Sequence, residues 1–184
     1  GYSLAPDHPD DEAKGVELRL KGLQAPVTVL FDAQGVPHVE AQNLLDLARA
    51  SGFVQGRARF FQMDMMRRLA RGRVSEMVGE QPLAAATTVE YDKAMRGWRI
   101  EARATQSYAK LSQSERDLAQ AFAAGVNAAV KEWKPLEYRL LGVEPEPWRP
   151  EDSLAVGLLN VWSITHNYQQ EATRLLLAMS VGVE

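Results

Sequence analysis

Seven arginines lie close together in the chain and form its most concentrated set of groups that could do chemistry. They are Arg49, Arg57, Arg59, Arg67, Arg68, Arg71 and Arg73. A guanidinium group binds phosphate or carboxylate through parallel hydrogen bonds, so this arginine cluster could hold an anion or an acidic partner. The alternative is a structural role, in which the same groups pair with carboxylates of this chain or of another chain. Asp64 and Arg68 have the i,i+4 spacing of a helical ion pair, and we favour the structural role.

A polar run interrupts an otherwise apolar stretch near the end of the sequence. The run is residues 165–171, Thr-His-Asn-Tyr-Gln-Gln-Glu, and it lies between the apolar segments 154–164 and 175–177. It is either a solvated helix face or a break between two apolar segments, where pocket walls and a carboxylate can converge. A hard cation such as calcium takes oxygen ligands from separate parts of a fold, so a single glutamate can supply one of them.

Familiar catalytic motifs do not occur in the sequence. No serine lies in a G-x-S-x-G elbow, the glycines fit neither a phosphate loop nor a dinucleotide fingerprint, and H-E-x-x-H is absent. With no cysteine and three histidines, disulfides, thiolate chemistry and a histidine-rich metal centre are excluded. A net charge of -3 argues against a dedicated nucleic-acid binder. The 184 residues therefore contain no recognisable nucleophile.

Hydrophobic periodicity predicts the first elements that position these groups. Residues 27–31 and 36–40 have extended, β-branched or aromatic texture and are separated by a turn, which predicts a β-hairpin. A helix is predicted over residues 43–70, with apolar residues on more than one side, so we expect it to be enclosed. Gly52 and Gly56 weaken this helix and indicate either close packing or a bend.

Two further helical stretches are predicted in the second half of the chain. Ser112 and Glu115 form an S-x-x-E capping box, which opens a helix that continues to about Trp133. Pro150, followed by two acidic residues, is typical of a helix start and begins the last helical stretch. We expect residues 1–15 to form an extended lead-in, and residues 16–184 to belong to one domain.

A series of short segments resembles the penicillin acylase family of N-terminal-nucleophile (Ntn) hydrolases. The segments are 25–29 with Asp32, 35–39, 46–47, 52–64, 67–68, 72–73, 76–79, Asp92, 95–96, 121–128, 140–142, 145–148 and Asp152. The match extends in order over residues 16–171, and the composite is specific although each segment alone is not. The resemblance implies an α+β fold, the four-layer αββα sandwich, to which this mostly helical chain supplies an N-terminal β-hairpin.

The same resemblance implies that two chains share the work. In the family a secreted precursor cleaves itself into a smaller α chain and a larger β chain. The new N-terminal serine of the β chain is the nucleophile, and its own α-amino group is the base. This sequence is similar to the α chain, which would explain the missing nucleophile and the missing signal peptide. No catalytic residue is then expected in this chain, and the enzyme is expected to be periplasmic or secreted.

Four residues near the polar run receive a role from the resemblance. Glu171 matches a glutamate that binds calcium together with β-chain ligands, and the pocket-lining positions fall on or near Val161, Ile164 and Thr165. Benzylpenicillin-specific members carry Met, Arg and Phe at these pocket positions. The smaller or aliphatic residues here could deepen the pocket, and each further buried CH₂ stabilises binding by about 0.8 kcal/mol. Aliphatic penicillins and N-acyl homoserine lactones are therefore expected as substrates beside benzylpenicillin.

The sequence leaves one other class of function open. The chain could be a non-enzymatic helical interaction module whose arginine cluster binds an acidic protein or a nucleic acid. Steeply salt-dependent binding by the chain would favour that alternative. A second polypeptide in the native particle would favour the acylase.

Overall fold

The computed structural model describes residues 20–83, 86–165 and 167–181, so the expected lead-in over 1–15 lies outside the described part. The strands are β1 (Thr28–Phe31), β2 (Pro37–Glu40), β3 (Pro82–Leu83) and β4 (Ala86–Thr87). The helices are α1 (Leu44–Arg71), α2 (Ser75–Val78), α3 (Thr88–Trp98), α4 (Ile100–Lys110), α5 (Gln113–Glu132), α6 (Leu136–Leu141), α7 (Pro150–Thr165) and α8 (Tyr168–Val181). The prediction of a mostly helical chain with an N-terminal β-hairpin is confirmed.

The hairpin pairs β1 with β2 in antiparallel register, and its turn is closed by one aspartate. Asp32 Oδ1 accepts hydrogen bonds from the backbone N–H groups of Gln34, at 3.0 Å, and Val36, at 2.8 Å. The Val36 N–H contributes most to holding the pKa of Asp32 below its ordinary value. Gly35 lies at φ 76°, in the left-handed region that a side chain disfavours. The turn therefore depends on an acceptor and a glycine at fixed positions.

A second aspartate fastens the segment before the hairpin to the first turn of α1. Asp46 is 1% exposed and accepts hydrogen bonds from the backbone N–H groups of Gln24 and Ala25, both at 2.9 Å, and from Asn43 Nδ2 at 2.7 Å. Burial by itself raises the pKa of Asp46, but these donors outweigh it and the pKa lies below its ordinary value. The chain entering β1 is thus held against α1 by an ionised carboxylate.

Glycines set the distance between α1 and α5, the two longest helices. A Cβ built on Gly125 would lie 1.9 Å from the Arg49 carbonyl oxygen, and one on Gly52 would lie 2.2 Å from the Phe122 carbonyl oxygen. Helix backbones can approach this closely because neither glycine has a side chain. Of the two alternatives for Gly52 and Gly56, close packing is the one found at both, since a Cβ on Gly56 would lie 3.0 Å from the Val126 backbone. The bend in α1 occurs instead at Arg59, whose φ of -151° is not helical.

Two clusters of buried apolar side chains form the core. The first contains Phe60, Met77, Ala123, Val126, Tyr138 and Trp148, and it joins α1, α2, α5 and α6. The second contains Ala70, Met95, Ile100, Ala104, Ala155 and Leu159, and it joins α1, α3, α4 and α7. Several apolar residues of α1, such as Val54, Phe61 and Met65, are half-buried. The described residues therefore leave part of the apolar surface of α1 uncovered.

The polar run separates two helices. α7 ends at Thr165 and α8 begins at Tyr168, so of the two alternatives left open for the polar run the structure has the break between two apolar segments. The large apolar side chains of α8 remain exposed, with between 58% and 73% of their surface accessible, and they are Leu175, Leu176, Leu177, Met179 and Val181. None of the helices in the described ranges has the length and apolar character needed to span a bilayer.

Candidate functional site

Asp64, a fully buried carboxylate of α1, holds part of the arginine cluster inside the fold. Its two oxygens accept hydrogen bonds from Arg67 Nε at 2.6 Å and from Arg68 Nε at 3.1 Å. The Tyr138 hydroxyl donates a third hydrogen bond to Asp64 at 2.6 Å. Burial is the largest cause of the raised pKa of Tyr138, and this hydrogen bond to a carboxylate is the second largest. Tyr138 therefore stays protonated and serves as a donor that fixes Asp64.

Asp152, a fully buried carboxylate in the first turn of α7, also binds Arg67 and in addition binds Arg71. It accepts a hydrogen bond from Arg67 Nη1 at 2.9 Å and a second from Arg71 Nη2. The backbone N–H of Arg149 donates to it at 2.8 Å. Burial by itself lowers the pKa of Arg67, but Asp64 and Asp152 outweigh it and the pKa lies above its ordinary value. The pairs are the charge-assisted, multidentate type that arginine forms best.

Arg67 also ties α1 to the connector before α7. Its Nη1 and Nη2 atoms donate to the carbonyl oxygens of Pro147, at 2.8 Å, and Glu146, at 2.7 Å. The guanidinium carbon lies 5.3 Å from the ring centroid of Trp148, within the range of a cation–π contact. This one side chain, 1% exposed, therefore links three parts of the fold.

The other arginines of the cluster near the end of α1 also bind carboxylates. Arg73 donates to Glu76 at 2.8 Å and to Glu146 at 3.0 Å, and the Glu76 contact is the largest cause of its raised pKa. Arg68 Nη2 reaches Glu146 at 3.4 Å. The structural role predicted for the cluster is confirmed for Arg67, Arg68, Arg71 and Arg73. The alternative function, a helical interaction module, would need these arginines at the surface. Because four of the seven arginines are engaged within the fold, most of the binding face that this alternative requires is not available.

The three predicted pocket residues lie on one exposed face at the end of α7. Val161 is 56% exposed and Ile164 is 83% exposed, and Thr165 is exposed as well. Thr165 Oγ1 donates to the Val161 carbonyl oxygen at 2.6 Å. Sequence reasoning missed their neighbour Trp162, whose ring lies 6.1 Å from the ring of Trp98 and fastens this end of α7 to α3. Trp162 lies within the apolar segment 154–164, and nothing in the sequence distinguishes it there from the other core-forming residues.

Glu171 lies in the first turn of α8, beyond the break. Its Oε1 atom accepts hydrogen bonds from Arg174 Nη1 at 3.1 Å and from Asn167 Nδ2 at 3.3 Å. Within residues 20–83, 86–165 and 167–181, no three His, Asp or Glu side chains come together in a way that could hold a metal ion. An exposed carboxylate suits calcium as one ligand, and the other ligands would have to come from outside these residues. His166, also in the polar run, lies outside the described part.

The fold and the motifs agree with one known family. The family model for penicillin amidase matches residues 26–184. The chain is 41% identical over 153 residues to penicillin acylase 2 proenzyme of Pseudomonas sp. (strain SE83), which covers 79% of this chain and 19% of that protein. It is 34% identical over 166 residues to acyl-homoserine lactone acylase QuiP of Pseudomonas putida, covering 89% of this chain and 20% of that protein. The chain belongs to the penicillin amidase family.

A solved structure extends the agreement to three dimensions. The thermostable penicillin G acylase from Alcaligenes faecalis matches with a TM-score of 0.70 and 31% sequence identity, over 84% of this chain and 82% of the solved chain. The two matched chains are therefore similar in length, whereas this chain spans about a fifth of the curated relatives. The family resemblance predicted from short segments is confirmed.

Proposed function

We propose that this chain is the α subunit of a heterodimeric acylase that hydrolyses the side-chain amide of penicillins or related N-acyl compounds. The observation that carries the proposal is the match to a single solved chain of similar length in a penicillin G acylase. Membership of the penicillin amidase family supports the reaction class. Acylase relatives acting on homoserine lactones support the wider substrate range.

In the proposed reaction this chain forms part of the scaffold and pocket wall, and the β chain performs the chemistry. The N-terminal serine of the β chain attacks the amide carbonyl, and the amine leaves with a proton that passes through the serine α-amino group. Water then hydrolyses the acyl-enzyme to release the carboxylic acid and restore the serine. The absence of a recognisable nucleophile in this sequence is consistent with that division.

The apolar side chains left exposed on α7 and α8 indicate a large surface that a partner chain covers. Ile164 and Leu176, for example, are 83% and 67% exposed. So many exposed large apolar side chains on two successive helices are typical of an interface. We propose that the β chain covers it and completes the four-layer αββα sandwich, with residues 16–184 contributing to one shared domain. The proposed enzyme is periplasmic or secreted, as its resemblance to secreted precursors implies.

The proposal is tested by expressing the chain alone and together with the polypeptide encoded after it. Alone, it should aggregate or lack fixed tertiary packing, because its apolar face is uncovered. Co-expression should give a soluble two-chain particle that releases amine from an N-acyl substrate. A partner that does not begin with Ser, Thr or Cys would contradict the proposal, as would a stable, active particle that contains this chain alone.

The pocket role of α7 predicts a change in acyl-chain preference. In the two-chain enzyme, Val161→Phe should shorten the pocket and exclude about two methylenes of a long acyl chain. Since each buried CH₂ contributes about 0.8 kcal/mol, kcat/KM for a decanoyl substrate should fall roughly tenfold relative to a butanoyl substrate. The control is Ser163→Phe, which lies on the opposite side of the same helix because helical residues advance by about 100° each.

This prediction is measured as a ratio, so a general loss of folded enzyme cancels. If the ratio were unchanged in Val161→Phe but altered in Ser163→Phe, the acyl pocket would lie on the other face of α7 from the one proposed. If both variants had the same decanoyl-to-butanoyl ratio of kcat/KM, the face of α7 that carries Val161 would have no special role in acyl-chain preference.

We further propose that Glu171 supplies one carboxylate ligand to a calcium ion shared with the β chain. Calcium that binds the folded state at a hundred times its Kd stabilises a protein by about 2.7 kcal/mol. In the two-chain protein, Glu171→Gln should remove most of the difference in thermal stability between calcium and EDTA. Glu137→Gln, on the exposed side of α6, should keep that difference. A full calcium effect in Glu171→Gln would overturn this assignment.

A further inference from the structure

The hairpin of β1 and β2 has two outer edges, and its register determines which backbone groups lie on each of them. The Asp32 N–H donates to the Val36 carbonyl oxygen at 3.1 Å, which makes these two residues a hydrogen-bonded pair. Such pairs alternate along an antiparallel ladder with pairs that are not hydrogen-bonded. Val29 and Val39 form a pair of the second kind, so the backbone N–H and C=O of each point away from the other strand.

The outer edge of β2 is poorly suited to a further strand. Pro37 lies opposite Phe31 in the other pair that is not hydrogen-bonded, so the outward position on β2 has no N–H to donate. β2 also carries the charged residue Glu40. Proline and charged side chains are among the features that keep the edge of a sheet from pairing. β2 therefore has the features of a strand that ends its sheet.

The outer edge of β1 has no such protection. The strand is Thr-Val-Leu-Phe, without proline or a charged residue. Within the part of the chain that the structure describes, no hydrogen bond reaches the outward N–H groups of Val29 and Phe31. Leu30, which lies between them, leaves 54% of its surface exposed. A two-stranded hairpin is marginally stable by itself, and an unpaired, uncharged edge is a template for another strand.

Given the proposed two-chain acylase, on which this inference rests, we propose that an extended segment of the β chain pairs with the outer edge of β1. The residues that the structure describes offer no third strand for this sheet, since their other sheet consists of β3 and β4, with two residues each. The proposed sandwich has two β layers, and this mostly helical chain supplies little of either. The segment should carry apolar side chains at alternate positions, on the face where Val29 and Phe31 are half-buried.

Two matched proline substitutions test which edge is used. Val29 and Val39 face each other, and neither uses its N–H within the hairpin, so Val29→Pro and Val39→Pro should affect the β1–β2 ladder equally. Val29→Pro also removes the outward donor of β1 and places a ring at the proposed contact. It should raise the dissociation constant of the two-chain particle at least about tenfold, as expected for the loss of one hydrogen bond. Val39→Pro should assemble like the wild type, and native mass spectrometry over a dilution series measures both.

Hydrogen exchange in the wild-type particle examines the edge without a substitution. The amides of Val29 and Phe31 should exchange slowly, whereas the amide of Val39 should exchange fast. Equal assembly of the two proline variants, or fast exchange at Val29, would overturn the inference. It would also be overturned if Leu18→Pro released the protection, since the edge would then belong to an earlier segment of this chain, or if a second copy of this chain supplied it.

The outcomes separate this inference from the proposed function. An active two-chain particle in which the β1 edge is unprotected would contradict the strand pairing and leave the acylase assignment intact. A native particle that contains no β chain would contradict the acylase assignment itself.

Discussion

Replacing Arg67 with methionine is expected to lower the free energy of unfolding by about 3–5 kcal/mol, which is typical when one partner of a buried ion pair is removed. Arg67 makes two carboxylate contacts, to Asp64 and Asp152, and two contacts to the carbonyl oxygens of Glu146 and Pro147. Methionine fills part of the volume but leaves these acceptors without that donor. Urea unfolding of the assembled protein measures the change.

A matched control distinguishes the buried network from surface charge. Lys134 and Glu144 form a pair at 2.6 Å in which the glutamate side chain is 85% exposed. Lys134→Met should therefore cost less than about 1 kcal/mol, as exposed pairs usually do. Arg67→Lys keeps the charge but loses the planar fork, and it should fall between the two. Equal losses in Arg67→Met and Lys134→Met would contradict the role assigned to the network.

Local patterns in the sequence predict three elements: the hairpin from a turn between two extended segments, α1 from its hydrophobic periodicity and α5 from its capping box. The capping box of α5 is present, with Glu115 Oε2 accepting from the Ser112 N–H at 2.7 Å. The same kind of signal was overlooked at the start of α3, where Thr87 and Glu90 form a second capping box. α4 carries few apolar residues, and Ile100 and Ala104 are its buried ones, so its periodicity is weak. Residues 88–110 therefore received no helix prediction.

In the candidate site, too, contacts between residues close in sequence could be predicted and contacts between distant residues could not. The pairing of Asp64 with Arg68 follows from helical spacing, and it is confirmed at 3.1 Å. The contacts of Arg67 with Asp152 and of Tyr138 with Asp64 join residues 85 and 74 positions apart, and no local pattern predicts them. The roles of Val161 and Glu171 depend on groups beyond this chain and stay predictions.

The packing of α1 against α5 leads to the second large effect, expected for Gly125→Ala. A Cβ at this position would lie 1.9 Å from the Arg49 carbonyl oxygen and 2.8 Å from the Phe53 backbone nitrogen. Both neighbours are backbone atoms, so no side chain can rotate away and the two helices must separate. Overpacking of this kind costs about 1–3 kcal/mol and sometimes more. Thermal or urea unfolding of the assembled protein should show the loss.

A glycine in open space provides the control, because alanine is otherwise the better helix former. Gly97 lies in α3, and apart from its chain neighbours and the backbone of its own helix no atom lies within 4 Å of a Cβ built there. Gly97→Ala should therefore stabilise the protein by about 0.5–1 kcal/mol. Opposite signs for the two substitutions would show that backbone contact, rather than helix propensity, decides the effect at Gly125. If Gly125→Ala were neutral or stabilising, α1 and α5 could not approach as closely as described, and the core around Val126 would need a different register.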